Sequence, residues 1–229
     1  MRESSRKVLV WSNFLLCLLK VWLFPASYKG DELVRIALLL CGTEVQGLPR
    51  KGPRVYVSNH FSFVDYFVLL RWIPNCAVVA RSDMFTPRTR KVKLPWYLSR
   101  LQSFYLRTCP TTGILPYDKF KTGQGMDGDD VLMEIENCIR MGRDVLVFPE
   151  GRTQRLTAAP REFRPRLFEF ANEHSLPIVS VTLGYSPSVG LEAGDAFSLD
   201  VFWRQRVRCM VRFEEEELDD PTEIRHRMA

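Results

Sequence analysis

Two short segments carry the residue types that acid–base chemistry needs. The first reads Asn59-His60-Phe61-Ser62-Phe63-Val64-Asp65 and directly follows the apolar run from Val55 to Ser58. On a continuous helix an imidazole and a carboxylate at this spacing would lie ~140° apart and out of contact. A turn between them changes that geometry. Ser62-x-x-Asp65 has the spacing of a capping box, with Asp in the place usually held by Glu, which predicts a helix from Ser62 and leaves His60 in the turn before it. There Asp65 can accept the Nδ1 proton of His60, fix the tautomer and leave Nε2 free as a base. The same spacing also fits an Asp65 that only caps the helix and a His60 that only occupies a surface turn.

The second segment is Phe148-Pro149-Glu150-Gly151-Arg152-Thr153, with Arg155 just beyond it. It follows the most apolar short run of the chain, and a carboxylate, a glycine and an arginine at a strand end are the parts of a phosphate or carboxylate site. Taken alone it is equally a plain turn.

Both segments depend on the elements before them. Val55 to Ser58 and Asp144 to Phe148 read as buried strands, the second continuously apolar in the manner of a parallel sheet. Further strands are predicted at Cys76 to Ala80, Gly113 to Tyr117, Ile178 to Leu183 and Val207 to Phe213, and helices at Ser62 to Trp72, Asp129 to Met141 and Arg164 to His174. This alternation predicts an α/β fold, a mixed and largely parallel sheet flanked by helices. The chain shows no internal repeat and no low-complexity tract.

At 229 residues, 46% of them hydrophobic, the chain can bury a full core without disulfides or a structural metal. Its six cysteines form no C-x-x-C pair and stand mostly among apolar residues, as buried thiols in a reducing compartment do. His60, His174 and His226 are scattered without ligand spacing, so no metal site is predicted. The net charge of +5 fits nucleic acid, anionic lipid and phosphorylated metabolites alike. Basic residues cluster from Arg81 to Arg107 among Trp96, Tyr97, Phe104 and Tyr105, a pattern shared by solvated loops and by lipid or phosphate surfaces. The stretch from Glu214 to Asp220 is acidic.

From Val8 to Phe24 the chain is almost wholly apolar, and Arg6, Asn13, Lys20 and Ser27 recur on one narrow helical seam. About 17 residues sits at the lower limit for spanning a bilayer. The apolar stretch from Leu33 to Cys41 is shorter still. The pair predicts a membrane-associating helical hairpin, or one short span followed by an interfacial helix, over residues 1–46 ahead of an α/β domain over residues 47–229; a cleaved signal peptide and a soluble core helix are the competing readings of the apolar run.

Together the two chemical segments resemble the glycerophospholipid acyltransferase family, of the lysophosphatidic acid acyltransferase type, whose first motif is N-H-x-x-x-x-D and whose third is F-P-E-G-T-R-S. The family's second motif is similar to Gly113-Ile114-Leu115-Pro116-Tyr117-Asp118-Lys119, and its fourth to Leu176-Pro177-Ile178-Val179. The motifs occur in family order between about Cys41 and Phe213. Two positions depart from the pattern. Lys119 stands where the family usually has Arg, and Arg152-Thr153 reverses the usual Thr-Arg order.

The resemblance implies an O-acyltransferase that uses His60 and Asp65 as its catalytic pair. Asn59, Lys119, Glu150, Gly151, Arg152 and Arg155 are then the substrate-binding residues. The implied reaction moves a fatty acyl group from acyl-CoA or acyl-carrier protein to the free hydroxyl of a lysophospholipid, with 1-acylglycerol-3-phosphate giving phosphatidic acid. Another lysolipid head group, or a catalytically silent lipid-binding protein of the same fold, are the alternatives. No bound cofactor is implied. The partners are membrane lipids, the lysophospholipid and the acyl donor, with no nucleic acid, and the implied site is the cytoplasmic side of the endoplasmic reticulum or a bacterial inner membrane.

Overall fold

The computed structural model describes residues 12, 41–47, 49, 52–61, 64–73, 76–81, 114–118, 126–153, 161–186, 207–217 and 220–228. Apart from Ser12 and the strand that begins at Cys41, the amino-terminal segment and its expected hairpin lie outside these residues, as do Lys119, Arg155 and most of the basic cluster.

The described strands are β1 (Cys41–Gln46), β2 (Val55–Ser58), β3 (Cys76–Arg81), β4 (Ile114–Tyr117), β5 (Asp144–Val147), β6 (Ile178–Ser186) and β7 (Val207–Glu217). They form one sheet in the order β1-β7-β6-β2-β5-β3-β4. Every pairing is parallel except that of β6 with β7. The helices are α1 (Val64–Leu70), α2 (Gly128–Arg140), α3 (Arg166–Glu173) and α4 (Pro221–Arg227). A mixed, largely parallel sheet flanked by helices is therefore the architecture, as the alternation of apolar runs predicts.

β2 lies near the middle of the sheet, and all four of its residues are buried. Side chains alternate across a strand, so Val55 and Val57 join Val145 and Val147 of β5 on one face. That face packs against Val131, Leu132 and Ile135 of α2, Leu167 and Phe168 of α3, and Ile224 of α4. Tyr56 and Leu146 fall on the opposite face and are also fully buried. Covering both faces is what lets β2 and β5 read as unbroken apolar runs. The buried residues of α2 recur at helical spacing, and the helix starts where the Asp127 carboxylate accepts from the amides of Asp129 and Asp130 at 2.9 Å. Cys76, Cys138 and Cys209 are buried thiols outside any disulfide, and burial pushes the Cys76 thiol up to about 12.

The connections make a crevice. From β2 the chain crosses through α1 to β3 and passes over β5; from β5 it crosses through α3 to β6 and passes over β2. Neighbouring strands thus send their loops in opposite directions, which opens the sheet at their carboxyl ends. β4 and β6 run parallel to β2 and β5, so the segments after β2, β4, β5 and β6 all emerge at that edge.

Three elements differ from expectation. Residues Cys41–Gln46, placed in the amino-terminal segment by sequence, pair with β7 as an edge strand, so the sheet begins before the boundary drawn at residue 47. β7 runs on to Glu217 and takes in the first four residues of the acidic stretch, where Glu214 is buried and meets the Arg212 guanidinium at 3.0 Å. α4 was not anticipated, although Asp220 caps its first turn through the Thr222 amide at 2.8 Å and Pro221 opens it. Among the described residues no helix is long and apolar enough to cross a membrane.

Candidate active site

β2 ends at Ser58, and the chain turns through Asn59, His60 and Phe61 before α1. Asn59 is fully buried, and its side chain is spent on backbone: Nδ2 donates to the Leu183 carbonyl at 2.9 Å and Oδ1 accepts from the Leu183 amide at 2.7 Å. Main-chain pairing of β2 with β6 reaches Ser58 opposite Val181. The Asn59 amide therefore adds one further rung after the main chain has turned away. Both polar atoms of the Asn59 side chain, which has no exposure, thus face β6.

His60 is held at three points. Its amide donates to Oε1 of Glu150 at 3.0 Å. Its Nδ1 meets Oδ2 of Asp65 at 2.9 Å. Its ring stacks on Phe148, with centroids 4.2 Å apart and planes 25° from parallel. An imidazole nitrogen beside a carboxylate carries the proton there, so Nδ1 is the donor and Nε2 the open nitrogen. The side chain is 20% exposed, enough for Nε2 to meet a substrate.

Asp65 has no exposure, and a buried carboxylate needs donors to remain charged. Oδ2 accepts from His60 and, at 2.7 Å, from the Phe61 amide; Oδ1 accepts from the Tyr185 hydroxyl of β6. α1 begins at Val64, so Asp65 reaches the Phe61 amide, one residue earlier than a box begun at Ser62 would require. One carboxylate oxygen thus holds both the His60 ring and the Phe61 amide in the turn before α1.

Glu150 lies in the turn after β5, 7% exposed. Its second oxygen accepts from the Arg161 amide at 3.4 Å, so both oxygens are engaged by backbone donors, with no ion pair to Arg152. Burial pushes the carboxyl above its ordinary range, and the two amides act against that shift. Glu150 accordingly ties the His60 turn to the segment at Arg161 through its two oxygens.

Gly151 has φ of 64°, the left-handed region that favours glycine, and its amide donates to the Phe148 carbonyl at 3.0 Å. The Arg164 guanidinium lies over it, 3.4 Å from where a Cβ would stand, and donates to the Tyr117 hydroxyl at 3.4 Å. Arg164 thereby joins the end of β4 to the turn after β5. Arg152 is exposed in that turn. Asp118 is buried just after β4, its amide bonded to the Met126 carbonyl at 2.7 Å.

Sequence reasoning did not single out Tyr185, Phe148, Arg161 or Arg164 as site residues. Tyr185 is 120 positions from the carboxylate it contacts, and no local spacing could announce it. The structure brings His60, Asp65 and Glu150 together at the carboxyl ends of adjacent strands, with Gly151 and Arg152 on the same turn as Glu150.

Known proteins match this geometry in family and in fold. The family model described as Acyltransferase matches residues 42–184. The 1-acyl-sn-glycerol-3-phosphate acyltransferase of Saccharomyces cerevisiae is 28% identical over 138 residues, 58% of this chain and 39% of that protein. The chloroplastic 1-acyl-sn-glycerol-3-phosphate acyltransferase BAT2 of Brassica napus is 26% identical over 145 residues, 62% of this chain and 37% of that protein. The matches thus span less than half the length of these curated relatives. The crystal structure of the 1-acyl-sn-glycerophosphate (LPA) acyltransferase PlsC from Thermotoga maritima superposes with a TM-score of 0.56 at 16% identity, over 100% of this chain and 94% of that one. At that identity the likeness is one of fold.

Proposed function

The chain belongs to the acyltransferase family, and on that premise we propose that it moves a fatty acyl group from an acyl thioester to the free hydroxyl of a lysophospholipid. 1-Acylglycerol-3-phosphate is the acceptor we favour, because the Saccharomyces and Brassica relatives carry its name. The single observation that carries the reading is the contact of 2.9 Å between His60 Nδ1 and Asp65 Oδ2 in a turn at the crevice.

In this reading Nε2 of His60 takes the proton of the acceptor hydroxyl as its oxygen attacks the thioester carbonyl. Asp65 stabilises the imidazolium so formed, and the stacked Phe148 ring presents a π face to the same charge. The tetrahedral intermediate collapses with cleavage of the C–S bond, and the leaving thiolate receives the proton back from His60. No enzyme nucleophile takes part, so the role of the surrounding strands is placement. Lys119, Arg152 and Arg155 supply the cations for an acceptor phosphate, and the apolar segment within residues 1–46 brings the domain to the membrane that holds the acceptor. The donor is acyl-CoA or acyl-carrier protein.

The test is an assay of the purified full chain with labelled acyl-CoA on a panel of lysophospholipids in detergent. We expect transfer to 1-acylglycerol-3-phosphate, and a loss of roughly 10² to 10⁴ in kcat for His60→Ala with folding intact. A variant that keeps a tenth or more of the wild-type kcat would show that His60 is not the base.

A further inference from the structure

The carboxylate of Asp65 is shared between two tasks, and only one is explained by the reaction. Oδ2 faces His60 and the Phe61 amide, while Oδ1 receives a hydroxyl proton from Tyr185, a residue on another strand. Tyr185 is itself buried, at 7% exposure, and its ring meets Phe61 edge-on, with centroids 6.2 Å apart and planes at 83°. The strand that carries it is tied to the His60 turn two residues earlier, where Leu183 holds both polar atoms of Asn59. A phenylalanine would fill the same ring position. The hydroxyl therefore places a polar tip inside the molecule whose partner is the carboxylate of the reaction centre.

We propose that Tyr185 is a positioning residue of this centre: by donating to Oδ1 it fixes the plane of the Asp65 carboxylate against the His60 ring and sets how strongly that carboxylate stabilises the imidazolium. A donor on Oδ1 draws negative charge away from Oδ2, so the hydroxyl restrains the basicity that Asp65 confers on Nε2. Without it, more charge remains on the oxygen facing His60, and the imidazole holds its proton to higher pH. The titratable groups that the described residues bring against the pair are Tyr185 from β6 and Glu150 from the turn after β5, the latter through the His60 amide. The role rests on the acyl-transfer reading for its consequence in catalysis, but its effect on His60 is measurable without turnover.

The experiment follows the imidazole resonances of the full chain by NMR through a pH titration. The chain has three histidines, and the His60→Ala spectrum identifies the signal that belongs to His60. Tyr185→Phe should raise the His60 midpoint by roughly half to one pH unit, a threefold to tenfold change in proton affinity. Replacing Tyr185 with 3-fluorotyrosine, a stronger donor of the same shape, should lower it, and this variant decides the matter if the phenylalanine variant does not fold. In acyl transfer, the acid limb of kcat/KM should move with the midpoint while the KM of each substrate stays within about threefold. A midpoint that does not move in folded variants, or that moves opposite to these directions, overturns the proposal and leaves Tyr185 as packing. A wild-type protein that transfers no acyl group refutes the proposed function instead, and the NMR midpoints still judge Tyr185.

Discussion

Replacing Glu150 with Gln tests whether this buried carboxylate supports the His60 turn. Glutamate offers two acceptor oxygens, and the structure uses both, on the His60 amide at 3.0 Å and the Arg161 amide at 3.4 Å. Glutamine offers one, so its NH2 must face a backbone N–H that also donates. The shorter bond keeps the oxygen, and the Arg161 amide loses its partner. A charge-assisted bond is worth about 1.5 to 3 kcal/mol and a neutral one about 1, so exchanging two of the first for one of the second removes roughly 2 to 5 kcal/mol of hydrogen bonding. Relief from burying a charge offsets part of this loss at neutral pH. Near-cancellation in stability should accompany a kinetic loss, because misplacing a catalytic group by a fraction of an ångström costs rate more than folding energy. We expect kcat to fall roughly tenfold to a hundredfold with KM little changed. The pH dependence has a fixed sign. Burial holds the folded-state value of Glu150 above its unfolded value, so its contribution to stability is fully present below the unfolded value, about 4.3, and is lost as pH rises through the folded one. Glutamine does not titrate. Urea unfolding should therefore show the wild type gaining on the variant as pH falls from 7 to 4. A difference that is flat or opposite in sign, or an unchanged kcat, would refute the role given to Glu150.

Two further substitutions probe the same turn. Asn59→Ala strips the Leu183 amide and carbonyl of a buried partner and should cost roughly 2 to 4 kcal/mol in urea unfolding, with Asn59→Asp at least as damaging because it adds an unpaired buried charge and loses the donor. Gly151→Ala puts a Cβ on a residue at φ 64° and should lower stability by about 1 to 2 kcal/mol; the neighbouring Arg164 side chain can yield, so the loss should appear in unfolding and be unaffected by truncating Arg164.

The strands that carry the site were legible because burial on both faces makes them mostly apolar, and Val55–Ser58 stands where the apolar run predicts. The pairing of His60 with Asp65 was legible from the turn between them, but the backbone contacts of Asn59 and Glu150 were not. Asn59 and Glu150 are polar residues at a strand end, and sequence cannot distinguish one that faces a ligand from one that faces a backbone amide across the sheet. β1 escaped because an edge strand pairs on one side, and Gly42, Glu44 and Gln46 are exposed, leaving no apolar signature. α4 is a different case: Asp220-Pro221 is a helix-start signal in plain sequence, passed over because Asp220 was read as part of the acidic stretch.

The arrangement separates chemistry from acceptor choice. His60 is fixed by Glu150 and Phe148 from the turn after β5 and by Asp65 from α1, and Asp65 is fixed in turn from β6, so the base is anchored from three directions. The cations proposed for the acceptor, Lys119, Arg152 and Arg155, belong to segments that follow β4 and Glu150, and the exposed Arg152 makes no ion pair with Glu150 that would transmit its loss to His60. Substitutions among those cations should change which head group is bound and appear in the acceptor's KM, whereas substitutions at Asp65, Glu150 or Tyr185 should appear in kcat. Lys119 in place of arginine and the reversed Arg152-Thr153 order both fall on the acceptor side of that division. A point charge at Lys119 cannot form the two-pronged contact that a guanidinium gives a phosphate, so on the proposed function these departures would retune head-group recognition and leave His60 and its supports in place.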